Sequence, residues 1–170
     1  MKKMHRGFTL LELLVVIGVM GIMSSMAMIA GQQTTDAARA TNIADNLEKA
    51  AAAMMMYYSD NADNIAVNGI VDAVAEGKIA KADLLAGTNA YLKNTSQLVD
   101  TAAAGKYAIT IDGTAPAQTW WIVYTLPDND LAGVAPIMKN KASRLGLMKA
   151  TTSTTSDYDG TQAAIYMKVR

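Results

Sequence analysis

The chain has 170 residues, enough for one domain or for a smaller one with an appendage. Fifteen Lys and Arg balance fifteen Asp and Glu, so no global charge selects nucleic acid or an acidic partner. The absence of cysteine excludes a disulfide scaffold, a thiol nucleophile and a thiolate metal site; with His5 as the only histidine, the body of the chain has neither a Ser-His triad nor a two-histidine metal helix.

Apolar residues are concentrated at the start. From Phe8 to Ala30 the sequence FTLLELLVVIGVMGIMSSMAMIA has Glu12 as its only strongly polar residue, and Thr9, Ser24 and Ser25 can bond back to a helix. At helical rise the segment reaches about 34 Å, against roughly 30 Å of hydrocarbon, so 8–30 is predicted to be a membrane helix. Lys2, Lys3 and Arg6 lie on its amino side and Asp36 is the first charge beyond it, which places the N-terminus in the cytoplasm and the remainder outside. A cleaved secretory signal also starts basic and turns apolar, but this run is too long for a signal core and no small-x-small pattern follows it. Glu12 is costly there, by about 2.5 to 3.5 kcal/mol at a helix centre and less near the cytosolic end. No basic residue within the span can pair with it.

The stretch Arg6-Gly7-Phe8-Thr9-Leu10-Leu11-Glu12 resembles the processing site of class III prepilins, the precursors of type IV pilins and of type II secretion pseudopilins. The resemblance implies a leader at 1–7, cleavage between Gly7 and Phe8 by a prepilin peptidase, and methylation of the new amino group on Phe8. Glu12 would then be the fifth mature residue, where the family keeps a glutamate. Cleavage would remove three positive charges and expose an ammonium on Phe8. In a stack of such rods, Glu12 of one subunit can meet the Phe8 ammonium of its neighbour, giving each buried charge a partner.

Proline is absent between Phe8 and Ser59, so the helix is expected to continue through an amphipathic half at 31–58. Ala40, Ile43, Leu47, Ala51, Met54 and Tyr58 recur at helical spacing, while Arg39, Asp45, Glu48 and Lys49 lie elsewhere around it. The cluster Met54-Met55-Met56-Tyr57-Tyr58 reads as core packing beneath a sheet. Gly18, Gly21 and the pair Asn46-Leu47, with Ile29 where many pilins have proline, make the helix more similar to the type IVb pilin branch than to type IVa pilins or major pseudopilins. The cysteine pair common in pilin heads is missing.

Residues 59–170 are expected to form a globular head. NGIVDAVAEGKIAKADLLAG reads as short helical or irregular structure. KYAITI and TWWIVYTL read as antiparallel neighbours across the turn-rich DGTAPAQ, and AAIYMKVR as a third strand with Ile165, Met167 and Val169 on one face. The fold class is therefore α+β, with a long N-terminal helix packed on a small antiparallel sheet. Trp120 and Trp121 point to opposite faces of their strand, so at most one is expected in the core.

Asp128, Asn129 and Asp130, and again Asp157, Asp159 and Gly160, are oxygen-rich, but neither group has EF-hand spacing and turn formation accounts for both. No metal, cofactor or specific nucleic-acid partner is expected. Between Leu131 and Ser156, Lys139, Lys141, Arg144 and Lys149 occur without an acid; the segment reads first as a solvated basic loop and next as a contact patch for another subunit. The run TTSTTS at 151–156 reads as an exposed loop.

The functional expectation is a structural, non-enzymatic subunit of a type IV pilus-like filament. It would wait in the inner membrane with its head outside and assemble into a periplasmic or extracellular homopolymer. Its partners would be other pilins, the prepilin peptidase, the membrane and the assembly platform. The alternatives are a pseudopilin of a type II secretion or DNA-uptake system and, from another class, a membrane-anchored enzyme or solute-binding domain.

Overall fold

The computed structural model describes residues 8–71, 79–92, 98–114, 117–151 and 156–170. The leader at 1–7 and most of the Thr/Ser run, 152–155, lie outside them. The chain divides into two units, Met1–Thr35 and Asp36–Arg170.

Helix α1, Leu10–Asp60, is one run of 51 residues, about 77 Å of helical rise. Its hydroxyls are absorbed by its own backbone: Ser25 Oγ donates to the Ile22 carbonyl at 2.8 Å and Thr34 Oγ1 to that of Ala30 at 2.7 Å. In the first unit every residue from Phe8 to Thr35 is exposed, apolar ones included. In the second unit the helix turns amphipathic and buries Ala40, Ile43, Ala44, Leu47, Ala50, Ala53 and Met54. Of the methionine and tyrosine cluster, only Met54 is buried; Tyr57 and Tyr58 are half-buried, and Met55 and Met56 are exposed. Five consecutive residues cover well over a full turn, so a helix packed on one side cannot bury them all.

After α2 (Ala62–Asn68), two short strands, β1 (Ile70–Val71) and β2 (Ile79–Ala80), pair in parallel, and α3 (Lys81–Tyr91) follows. The sequence reading had only helix or irregular structure there. The main sheet has five strands in the order β3-β4-β5-β7-β6. These are β3 (Leu98–Val99), β4 (Tyr107–Asp112), β5 (Thr119–Thr125), β6 (Leu147–Met148) and β7 (Ala164–Lys168). It is antiparallel except for β3 against β4. The three longer strands are those the alternation predicted, and β5 pairs with both β4 and β7.

The register explains the core. Ile109 faces Ile122, Ile111 faces Trp120, and Ile122 faces Met167, so the side chains of one sheet face form a continuous layer that packs with the buried stripe of α1. Trp120 meets Tyr58 edge-on, with centroids 5.5 Å apart, and the Arg170 guanidinium lies 4.1 Å from the Tyr58 ring centroid. Tyr107 and Tyr124 stack across β4 and β5 at 4.6 Å. Burial, helped by Tyr107 and Asp130, pushes the Tyr124 hydroxyl up to about 12, which keeps it neutral beside the core.

Trp120 and Trp121 do occupy opposite faces, yet both are buried, at 0% and 3% exposure. The expectation that one would face solvent fails because the second face of the sheet is covered here as well. On its second face Trp121 sits in register between Thr110 and Lys168, and Ala108 and Val123 beside it are also buried.

Side-chain amides complete the sheet's surroundings. Asn89 of α3 accepts from the Leu98 N–H at 2.7 Å and donates to the Leu98 carbonyl at 3.0 Å, satisfying backbone groups of the short edge strand. Gln118 does the same for Ile70, at 2.7 Å in both directions.

The segment read as a basic loop contains a helix. Beyond α4 (Asp128–Leu131), helix α5 (Val134–Leu145) buries Val134, Ala135, Met138 and Ala142 and stops at Gly146, whose left-handed conformation (φ 64°) suits glycine at that position. The four basic residues masked an amphipathic period that was present between them.

Truncating Trp121 to Ala is expected to cost about 3 to 5 kcal/mol, as for a core aromatic. Urea unfolding followed by circular dichroism checks this, and a cost below about 1 kcal/mol would be the result for a solvated face.

Candidate functional site

Thr9 and Glu12 close the first turn of α1 on each other. Glu12 Oε2 accepts from the Thr9 amide and from the Thr9 hydroxyl, both at 3.2 Å, while Thr9 Oγ1 accepts from the Glu12 amide at 3.2 Å. This is a capping box: two amides that have no partner within the helix are satisfied reciprocally, and a carboxylate sits at the positive end of the helix dipole. The sequence reading treated Glu12 as an acid without a partner inside its own chain; Thr-x-x-Glu before an apolar run was the available signal for the local one. The box does not supply a counter-charge, because both donors are neutral. The side chain therefore keeps the capacity to meet a cation.

Phe8 lies just outside the helix, 81% exposed. Gly7 falls outside the described residues, so the proposed scissile junction is seen only from its Phe8 side. From Leu10 onward the surface around the acid is apolar, with Leu11, Leu13, Leu14, Val15 and Val16 all exposed. A Cβ added at Gly18 or Gly21 would meet nothing within 4 Å. Glu12 is the only ionisable side chain between Phe8 and Thr35.

In the second unit the basic residues separate into different environments. Lys141 Nζ bonds Thr41 Oγ1 of α1 at 3.0 Å, and Lys149 reaches Asp159 at 3.7 Å, while Lys139 and Arg144 are exposed on α5. Arg144 in the last turn of its helix is favourably placed against the dipole. Asp130 is taken by Arg39 at 2.5 Å, with its carboxylate nearly buried, and a Cβ at Gly133 would collide with the Asp36 carboxylate at the start of α5. These contacts fasten α4 and α5 to α1. Sequence reasoning missed them, since the Arg39–Asp130 partners are 91 positions apart and carry no local pattern.

Among the described residues no group of three or more His, Cys, Asp and Glu side chains converges as a metal ion would require. The two oxygen-rich segments have local uses. Asp128 to Asp130 open α4, and Asp159 accepts from the Thr161 hydroxyl and amide, at 2.6 and 3.0 Å. Those two bonds, with a smaller contribution from Lys149, hold the Asp159 carboxyl below its ordinary value.

Removing the Thr9 side chain in Thr9→Ala is expected to weaken the helix start by about 0.5 to 2 kcal/mol. Amide exchange in detergent micelles checks it: the Glu12 amide should lose protection while amides beyond Gly18 keep theirs.

One comparison with known proteins falls on this end of the chain and a second takes in most of its length. Residues 2–28 match the prokaryotic N-terminal methylation motif. Over 132 residues the chain is 28% identical to the toxin coregulated pilin of Vibrio cholerae, a match that covers 73% of this chain and 59% of that protein, so it spans less than two thirds of its relative. No solved structure matches. The chain therefore carries a class III prepilin N-terminus on a pilin-like α+β fold and is a distant homologue of a type IVb pilin.

Proposed function

We propose that this chain is the precursor of a structural subunit of a type IV pilus-like filament. The reading rests above all on one observation: the methylation motif at 2–28 runs into an apolar stretch, 8–35, that is exposed throughout and whose only ionisable side chain is Glu12. In this scheme a prepilin peptidase cuts between Gly7 and Phe8, discards the leader at 1–7 and methylates Phe8. Residues 8–30 hold the subunit in the inner membrane and later form the filament's apolar interior, 31–58 continue as the amphipathic half of the helix, and 59–170 form the head outside the membrane.

Both surroundings suit the helix. A bilayer solvates its apolar side chains before assembly, and the same side chains on neighbouring copies solvate them after it. The transfer is therefore nearly neutral in hydrophobic terms, and directional interactions decide which arrangement forms. Glu12 and the ammonium on Phe8 of an adjacent subunit supply one. Each is expensive alone in an apolar medium, and each neutralises the other when copies stack with the required stagger.

Pilins are typically structural rather than catalytic, and the filament reading needs no reaction beyond processing. The similarity to a type IVb pilin favours a pilus over a secretion pseudopilin.

The intact mass of the protein from sheared surface material should lack Met1 to Gly7 and carry one methyl group, whereas full-length chain in filaments would contradict the scheme. Glu12→Ala should insert into the membrane normally and lower fibre yield about tenfold or more, the effect of leaving a buried charge without its partner. Quantification of sheared fibres against total membrane-bound subunit reads that outcome; unchanged yield would remove the ion pair from the assembly mechanism.

A further inference from the structure

The oxidisable side chains of the second unit are divided sharply between core and surface. Cysteine is absent from the chain, so thioethers and indoles are its most readily oxidised groups. Trp120, Trp121, Met54, Met138 and Met167 are all buried, at 6% exposure or less, and Met148 is half-buried in β6. Two methionines stand apart: Met55 and Met56, side by side on α1, at 43% and 56% exposure. Met20, Met23, Met26 and Met28 of the first unit are exposed as well, but along the apolar run read as the membrane helix, where lipid or detergent supplies apolar surroundings.

Surroundings decide reactivity because of the charge that develops. When hydrogen peroxide meets a thioether, the sulfur lone pair attacks the nearer oxygen and the O–O bond breaks. Positive charge grows on sulfur and negative charge on the departing hydroxide, which then takes the proton of the transferred hydroxyl; a sulfoxide and one water result. Water stabilises that charge separation, and the packed surroundings of Met54, Met138 and Met167 do not.

The fold separates the consequences in the same way. A sulfoxide at Met54 would put an unpaired acceptor into the layer between α1 and the sheet. At Met55 and Met56 the new oxygen stays in water, and the packed stripe of α1 is untouched. Leucine has much the same helix propensity and apolar surface, so what methionine adds at these two positions is its reactivity.

We propose that Met55 and Met56 form a reversible oxidation site of the second unit, converted to sulfoxides by peroxides while the core methionines and tryptophans are spared, and restored by methionine sulfoxide reductases. The chain has no thiol of its own, so the return step takes two electrons from the dithiol of the reductase, which becomes a disulfide as the oxygen leaves in water. This inference goes beyond the filament reading and does not depend on it, since it needs only the exposure pattern of the second unit.

Full-length chain in detergent micelles is treated with excess hydrogen peroxide and followed by mass spectrometry; fragmentation of the tryptic peptide 50–78 separates Met54 from its two neighbours. Met55 and Met56 should each gain one oxygen at least about tenfold faster than Met54, Met138 and Met167, with Met148 between the two groups. The circular dichroism and thermal midpoint of the product should match those of the untreated protein, and the two epimer-specific sulfoxide reductases with a dithiol should restore the starting mass. Equal rates at Met54 and its neighbours, a lowered midpoint once only Met55 and Met56 of the second unit are oxidised, or sulfoxides that both reductases leave in place would each overturn the assignment. Met55→Leu with Met56→Leu should fold as before and leave no fast-reacting methionine in the second unit; a fast phase that persists there also overturns it.

Discussion

A lone carboxylate in an apolar helix is the constraint from which the rest follows. Glu12 is partly accommodated by its own chain, through the Thr9 amide and hydroxyl, but only by neutral donors. Hydrogen bonding lowers the cost of the charge without cancelling it. A bare capping residue could be an aspartate or serine at many helix starts. In the proposed filament, a glutamate followed by a long apolar run would gain more from an ammonium of another molecule than from its neutral cap.

The two units answer opposite demands with one continuous helix. From Asp36 onward α1 buries a narrow stripe in which alanine is prominent, and small residues let it lie close against the sheet. Before Thr35 the same helix is apolar all round and exposed throughout. A stripe implies a partner on one side, and an all-round apolar surface implies a solvent that is itself apolar. In the absence of cysteine the second unit holds together by packing and by long-range polar clasps, Arg39 to Asp130 and Lys141 to Thr41 among them. They pin α4 and α5 to α1.

The sequence by itself determined the local features. Continuous apolar residues after Phe8, the basic start, Glu12, the period of α1 and the alternation in β4, β5 and β7 each depend on neighbours a few positions away, and each was legible. The Thr9–Glu12 box was equally local and equally legible, though overlooked. Only the tertiary structure decided the rest: that both faces of the sheet are covered at β5, which buries Trp121 as well as Trp120, that Met55 and Met56 lie outside the packed stripe, that β3 joins in parallel, and that the basic segment folds as a helix clasped to α1. The reason is physical. Burial of a side chain is set by which elements cover its face, and Arg39 finds Asp130 across 91 positions of sequence, a distance at which no periodicity survives.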